Sequence, residues 1–155
     1  MRHANKTSFT SATPSVEHAA ERCDTGHVFD LDTAVERVAE NTYVANLTDR
    51  WSTLRGPNGG YGLATCVRAL AMELPFPDPI ATAAFFHAAI SPGPAEIRTE
   101  LVRRGRNLAT AQARLIQDDR EVLRVLASFA DLELAEGWTV ELEAPPLVGD
   151  VGSMR

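Results

Sequence analysis

A chain of 155 residues, 45% of them hydrophobic, is sized for one domain with a core of its own and leaves little room for two. A net charge of −6, with no basic stripe interleaved with aromatic residues, removes the electrostatic footprint of a nucleic-acid binder. No apolar run approaches the roughly 18 residues of a membrane span, and the first residues lack the pattern of a signal peptide, so a cytoplasmic protein with no membrane partner is expected.

Residues 1–26 are rich in Ser, Thr, Ala and His without apolar periodicity, and read as a disordered leader that carries no chemistry. From His27 the text changes. Val28, Phe29, Leu31 and Val35 supply apolar anchors, and Asp32 or Thr33 is placed to cap a short helical turn before Val38. Residues 43–47 alternate as a first strand would. Asp49 and Trp51 then lead through Gly56-Pro57 into the next element.

Residues 58–74 predict one buried helix. Asn58 is its N-cap, Leu63, Val67, Leu70 and Leu74 recur on one side, and Ala64, Cys66, Ala69, Ala71 and Met72 leave only Arg68 and Glu73 as charges. A helix apolar over most of its circumference has to be wrapped. Pro75 and Pro77 stop it, and four segments with strand character follow.

The first of these, 80–90, carries no formal charge and holds Phe85 and Phe86 at its centre; it is either covered on both faces or paired with another chain. After the turn Ser91-Pro92-Gly93-Pro94, the strand 95–103 sets Ile97, Thr99 and Leu101 inward against Glu96, Arg98 and Glu100. Gly105 bends the chain into a strand whose inner residues are Ala109, Ala111, Ala113 and Leu115, small enough to let a helix lie close. Asp118-Asp119 is the next turn, and Leu123, Val125, Ala127 and Phe129 form the inner face of the last strand. The fold class is therefore α+β: an antiparallel sheet wrapped around one central helix over 27–134. Residues 135–155, with Ala144-Pro145-Pro146, read as a tail resembling a truncated interdomain linker.

One buried helix in an antiparallel meander is the plan of the hotdog fold. The series Phe29-Asp30-Leu31-Asp32-Thr33-Ala34-Val35, Trp51, Gly56-Pro57-Asn58-Gly59-Gly60-Tyr61, Ser91-Pro92-Gly93-Pro94, Arg103-Arg104-Gly105-Arg106 and Ala127-Ser128-Phe129-Ala130-Asp131-Leu132 resembles the first half of thioesterase-like double-hotdog proteins related to acyl-CoA thioesterase II. The resemblance implies a single hotdog, an acyl-CoA or other acyl thioester as ligand, and a homodimer, since hotdog pockets form between two units. Two departures matter. The Asp, Thr and Gln credited with hydrolysis in acyl-CoA thioesterase II belong to a second hotdog and map to no position here. The strand that in relatives tends to end in Phe, an aliphatic, Arg and Pro reads Phe86-His87-Ala88-Ala89, losing a basic residue.

Thioester hydrolysis needs a donor for the developing oxyanion and a group to direct water. The amides of Gly59, Gly60 and Tyr61, following Asn58, lie where unpaired donors and the positive end of a helix dipole coincide; equally, Asn58 is a plain cap and the glycines serve close packing. Asn58, Gly60 and Tyr61 are the oxyanion candidates. Asp131, at the end of the last strand, is the candidate acid or base. Trp51, Gly59 and His87 are candidates for the acyl pocket, although Trp51 also suits boundary packing and His87 a packed core or interface position. Arg104 and Arg106 beside Gly105 suit the phosphates of CoA, or form a solvated hairpin. Asp118 and Asp119 read as turn formers, Asp49 as a turn or cap residue. Cys23 and Cys66 have no ligand-like spacing and read as reduced thiols; no metal site and no cofactor is expected. The rival expectation is a non-catalytic scaffold half that pairs with itself or with a separate second hotdog.

Overall fold

The computed structural model describes residues 27–54, 56–134 and 137. The expected leader, 1–26, and all of the expected tail but Gly137 lie outside these residues. A one-turn helix α1 (Val28–Asp32) is followed by strands β1 (Glu36–Ala39) and β2 (Thr42–Leu47), a 3-10 turn at Asp49–Trp51, and a short hairpin of β3 (Ser52–Thr53) and β4 (Gly56–Pro57). Then come the central helix α2 (Gly59–Glu73) and strands β5 (Asp78–Phe86), β6 (Gly93–Arg104), β7 (Ala109–Gln117) and β8 (Arg120–Ala130). Six strands form one antiparallel sheet in the order β1-β2-β6-β7-β8-β5, curled around α2. This is a single hotdog.

The helix starts and stops where its chemistry says. The Asn58 side chain accepts from the Gly60 amide, and Leu74 ends the helix with its own N–H bonded to the Leu70 carbonyl just before Pro75. Its buried face differs from the expected row of large aliphatics. Tyr61, Gly62, Thr65, Cys66, Ala69 and Leu70 are buried, while Leu63 and Val67 are half-buried on the flank and Met72 is exposed. The reason is distance: Ala109, Ala111, Ala113 and Ala127 line the sheet beneath, so the backbones approach closely and only small helical side chains fit between. Larger residues close the ends of this layer, Leu115 and Leu123 toward the helix N-terminus and Phe129 toward its C-terminus.

Other expectations need correcting. The helical turn ends at Asp32: α1 is N-capped by His27, and Thr33 is its C-cap, donating from its hydroxyl to the Phe29 carbonyl at 2.8 Å. Leu101 is 55% exposed, because a register irregularity between Leu101 and Arg103 turns the end of β6 away from the core. Ile97 and Thr99 do face inward. The strand expected over 80–90 is β5, and it is covered on neither face along most of its length. It is a sheet edge. Asp118 and Asp119 adopt φ of 50° and 59° in the two-residue turn between β7 and β8, the left-handed conformation that Asp tolerates.

Candidate functional site

Every strand order that wraps a helix leaves the helix ends at the rim of the sheet, and here the two ends are built differently. At the C-terminal end, Glu73 lies where the dipole disfavours an acid; the Tyr43 hydroxyl donates to it at 2.7 Å and Arg37 stands 3.3 Å away. Burial, and then this hydrogen bond, push the Tyr43 phenol well above the ordinary tyrosine range.

At the N-terminal end the chain builds an aromatic cluster instead. Phe29 and Trp51 meet edge to face with centroids 5.0 Å apart, and Tyr61 lies 6.4 Å from each. Trp51 Nε1 donates to Asp32 Oδ2 at 2.9 Å. The Tyr61 hydroxyl donates to the Asp32 carbonyl at 2.7 Å and accepts from the Thr48 amide at 3.1 Å. Its proton is therefore committed to structure, and burial raises its pKa. Arg68 pairs with Asp30 and completes the tie between α1 and α2.

The helix-entrance amides divide into two kinds. Gly60 N–H is 2.7 Å from Asn58 Oδ1 and Tyr61 N–H is 3.1 Å from the Asn58 carbonyl, so capping occupies both. The Gly59 amide takes part in neither bond. Two cavities flank this point, separated by the β3–β4 hairpin. One, of about 500 Å³, is lined by the aromatic cluster together with Arg50, Ser52, Thr53, Asn58 and Gly60. The other, of about 300 Å³, is lined by Thr53, Gly56, Pro57, Gly59, Phe86, Ala88, Ala89 and Ile90. Neither lining holds a carboxylate, a histidine or a glutamine. Among the described residues no three His, Cys, Asp or Glu side chains group as metal ligands do.

Of the residues singled out in the sequence, Trp51, Asn58, Gly59, Gly60 and Tyr61 come together at this entrance. The others do not. His87 lies beyond the end of β5 with Nε2 3.2 Å from Glu121 Oε1, a carboxylate that Arg124 also holds at 2.7 and 2.9 Å. Asp131 accepts from the Glu133 amide at 3.0 Å in a local turn. Within one chain it sits at the far end of the sheet, since Ala130 before it pairs with Asp78, the first residue of β5, whereas Phe86 is the last. Arg104 is at that far end too, paired with Ala109, itself paired with Phe129 and so with Pro79. Arg106 lies in the adjoining hairpin, exposed. The sequence reading missed Phe29, Phe86 and Ile90 as lining residues; the aromatic pair ending an uncharged strand was the available signal for Phe86.

Residues 47–130 match the model of the acyl-CoA thioesterase N-terminal domain family. The chain belongs to this family. Among solved structures, a protein assigned as thioesterase II from Thermobifida fusca is 33% identical with a TM-score of 0.70, over 76% of this chain and 45% of that one. A conserved hot dog fold protein from Alicyclobacillus acidocaldarius is 25% identical with a TM-score of 0.70, over 83% and 48%. The chain thus spans about half the length of these two relatives. A fold likeness extends to the phenylacetic acid degradation protein PaaI of Thermus thermophilus, 17% identical with a TM-score of 0.55, over 64% of this chain and 92% of that one. None of the curated proteins compared with the chain matches it significantly in sequence. No helix among the described residues is long and apolar enough to cross a membrane.

Proposed function

We propose that this hotdog acts on an acyl-CoA thioester in the cytoplasm, as a homodimer joined along β5, with the amides at the start of α2 receiving the thioester carbonyl. One observation carries the reading: inside the stretch that matches the thioesterase family, a helix N-terminal amide, that of Gly59, stands outside the capping bonds beside a cavity of about 300 Å³. A free amide at the positive end of a helix stabilises an oxyanion more than a ground-state carbonyl, which is what acceleration requires. Water attacks the carbonyl carbon, the negative charge forms on its oxygen, and the C–S bond breaks as the CoA sulfur leaves and is protonated. Gly60 contributes its amide when Asn58 yields it, Tyr61 and Trp51 wall the neighbouring aromatic cavity, and Arg104 and Arg106 of the partner subunit are the candidates for the phosphates. The dimer is supported by β5, an edge strand with Ile80, Phe85 and Phe86 exposed.

A second reading has an observation of its own. Neither cavity is lined by a carboxylate, histidine or glutamine to direct water, and the chain spans about half the length of these relatives, which fits a binding half whose Asp, Thr and Gln counterparts come from elsewhere. Hydrolysis of short, medium, long and aromatic acyl-CoAs, followed by release of the CoA thiol, separates the two. Turnover abolished by Gly59→Pro in a folded variant supports the catalytic reading, while saturable binding without turnover supports the binding half.

A further inference from the structure

Phe86 is the last residue of β5 and pairs in register with Leu123, which is fully buried beneath the helix, so the two side chains share the helix-facing side of the sheet. The ring of Phe86 nevertheless keeps 52% of its surface, because α2 begins at that point and the ring reaches past the core onto the helix N-terminus. It lies directly over Gly59: a Cβ added there would fall 2.8 Å from Cε1 and 2.9 Å from Cζ. One turn further along, a Cβ at Gly62 would fall 2.3 Å from Ile90 Cδ1, and one at Gly56 would meet the Ile90 carbonyl at 2.9 Å. Three glycines therefore take the approach of one strap, Phe86 to Ile90, and two of them, Gly56 and Gly59, line the cavity of about 300 Å³ together with the strap.

The ring is not part of the buried core: Phe86 is half exposed, whereas Ile90, 4% exposed, and Leu123, 0% exposed, are buried at that end. What the ring does is narrow the cavity at the one amide free of capping, on a strap whose other lining side chains are Ala88, Ala89 and Ile90. We infer that Phe86 is the specificity-determining residue of the site, its ring limiting the acyl chain that lies across Gly59 to short and medium lengths. A cavity of this size is at the small end of ligand pockets, and in such a pocket the cost of misfit rises steeply with each added methylene. The inference rests on the acyl-thioester reading above and adds a limit on chain length to it.

The test is calorimetric binding of non-hydrolysable S-butyl-, S-octyl-, S-dodecyl- and S-hexadecyl-CoA to the full chain and to Phe86→Ala. The wild-type chain is expected to bind butyl and octyl and to lose affinity at dodecyl; Phe86→Ala is expected to raise the dodecyl-to-butyl affinity ratio by about tenfold. Phe85→Ala, a change of the same size on the opposite face of the same strand, is expected to leave the ratio unchanged. Phe86→Leu, which keeps an apolar side chain on the helix tip, serves if the alanine variant does not fold and is expected to give a smaller shift of the same sign. A wild-type chain that binds the series with Phe86 variants that keep its ratio, or a Phe85→Ala variant that moves it equally, overturns this inference alone. A wild-type chain that binds no member of the series overturns the acyl-thioester reading and this inference with it.

Discussion

β1 and β5 close the two edges of one sheet, yet β1 is four residues long and charged, whereas β5 is nine residues long and uncharged after Asp78. The β1 edge is turned back on its own molecule. Arg37 reaches Glu73 on the helix, stands 5.9 Å over the Tyr43 ring, and an irregularity between Arg37 and Ala39 interrupts the ladder. Along β5 the ladder is irregular only between Pro79 and Ala81, and the side-chain bonds that hold the strand gather at its ends, where Asp78 accepts from the Leu132 amide at 2.9 Å and the adjoining His87 meets Glu121 of β8. Short length, charge and a bulge are the devices that keep an edge from pairing, and one edge has all three. The difference teaches that a sheet can be finished on one side and left open on the other, and that composition marks which side is which.

Four experiments break or sharpen this comparison, from the largest effect down. Ala83→Lys places a charge mid-way along β5, where in the proposed dimer it would face its own copy; it is expected to weaken self-association by on the order of 100-fold in sedimentation equilibrium. Tyr43→Phe removes the buried donor to Glu73 near the closed edge and is expected to cost about 1–3 kcal/mol in urea unfolding with no change in association. Glu121→Gln acts near neutrality and not in acid. Its hydrogen bond to Arg124 holds the Glu121 carboxyl below the ordinary Glu value of 4.5, against an opposing push from burial. The stabilisation this gives is complete above the unfolded-state pKa and disappears as the pH falls through the lower folded-state value. The variant is therefore expected to lower the urea midpoint near neutrality and to converge with wild type as the pH falls between roughly pH 5 and pH 3, flattening the acid limb of the series. Val38→Lys, on the edge already charged, is expected to change neither association nor stability by more than about 0.5 kcal/mol.

Much of this architecture was legible from residue order. The boundaries of α2 followed from a cap at Asn58 and a stop at Pro75, both local signals that tertiary packing had no reason to override. The inner faces of β7 and β8 followed from strict alternation, which a one-residue slip would have inverted. β1 was not legible, because Glu36, Arg37, Val38 and Ala39 show no alternation and all four are exposed; pairing with β2 alone makes them a strand. The orientation of α2 was misjudged for a related reason, since periodicity records where large apolar residues recur and not how near the sheet lies. The entrance cluster of Trp51, Asn58, Gly59, Gly60 and Tyr61 was visible as a run of special residues. That capping occupies Gly60 and not Gly59, and that Phe86 covers Gly59, depends on the strap from β5 and on contacts no sequence spacing encodes.

Cys66 sits in the middle of α2 with no exposed surface, and burial pushes its thiol up to about 12. A thiol so placed is almost wholly protonated at neutral pH and inaccessible to a disulfide reagent until the sheet lifts off the helix. The same residue that fills the narrow gap between helix and sheet is thus a clock for that gap. The rate at which the peptide carrying Cys66 becomes labelled measures how often the wrapped helix is laid bare, in the native protein and without denaturant.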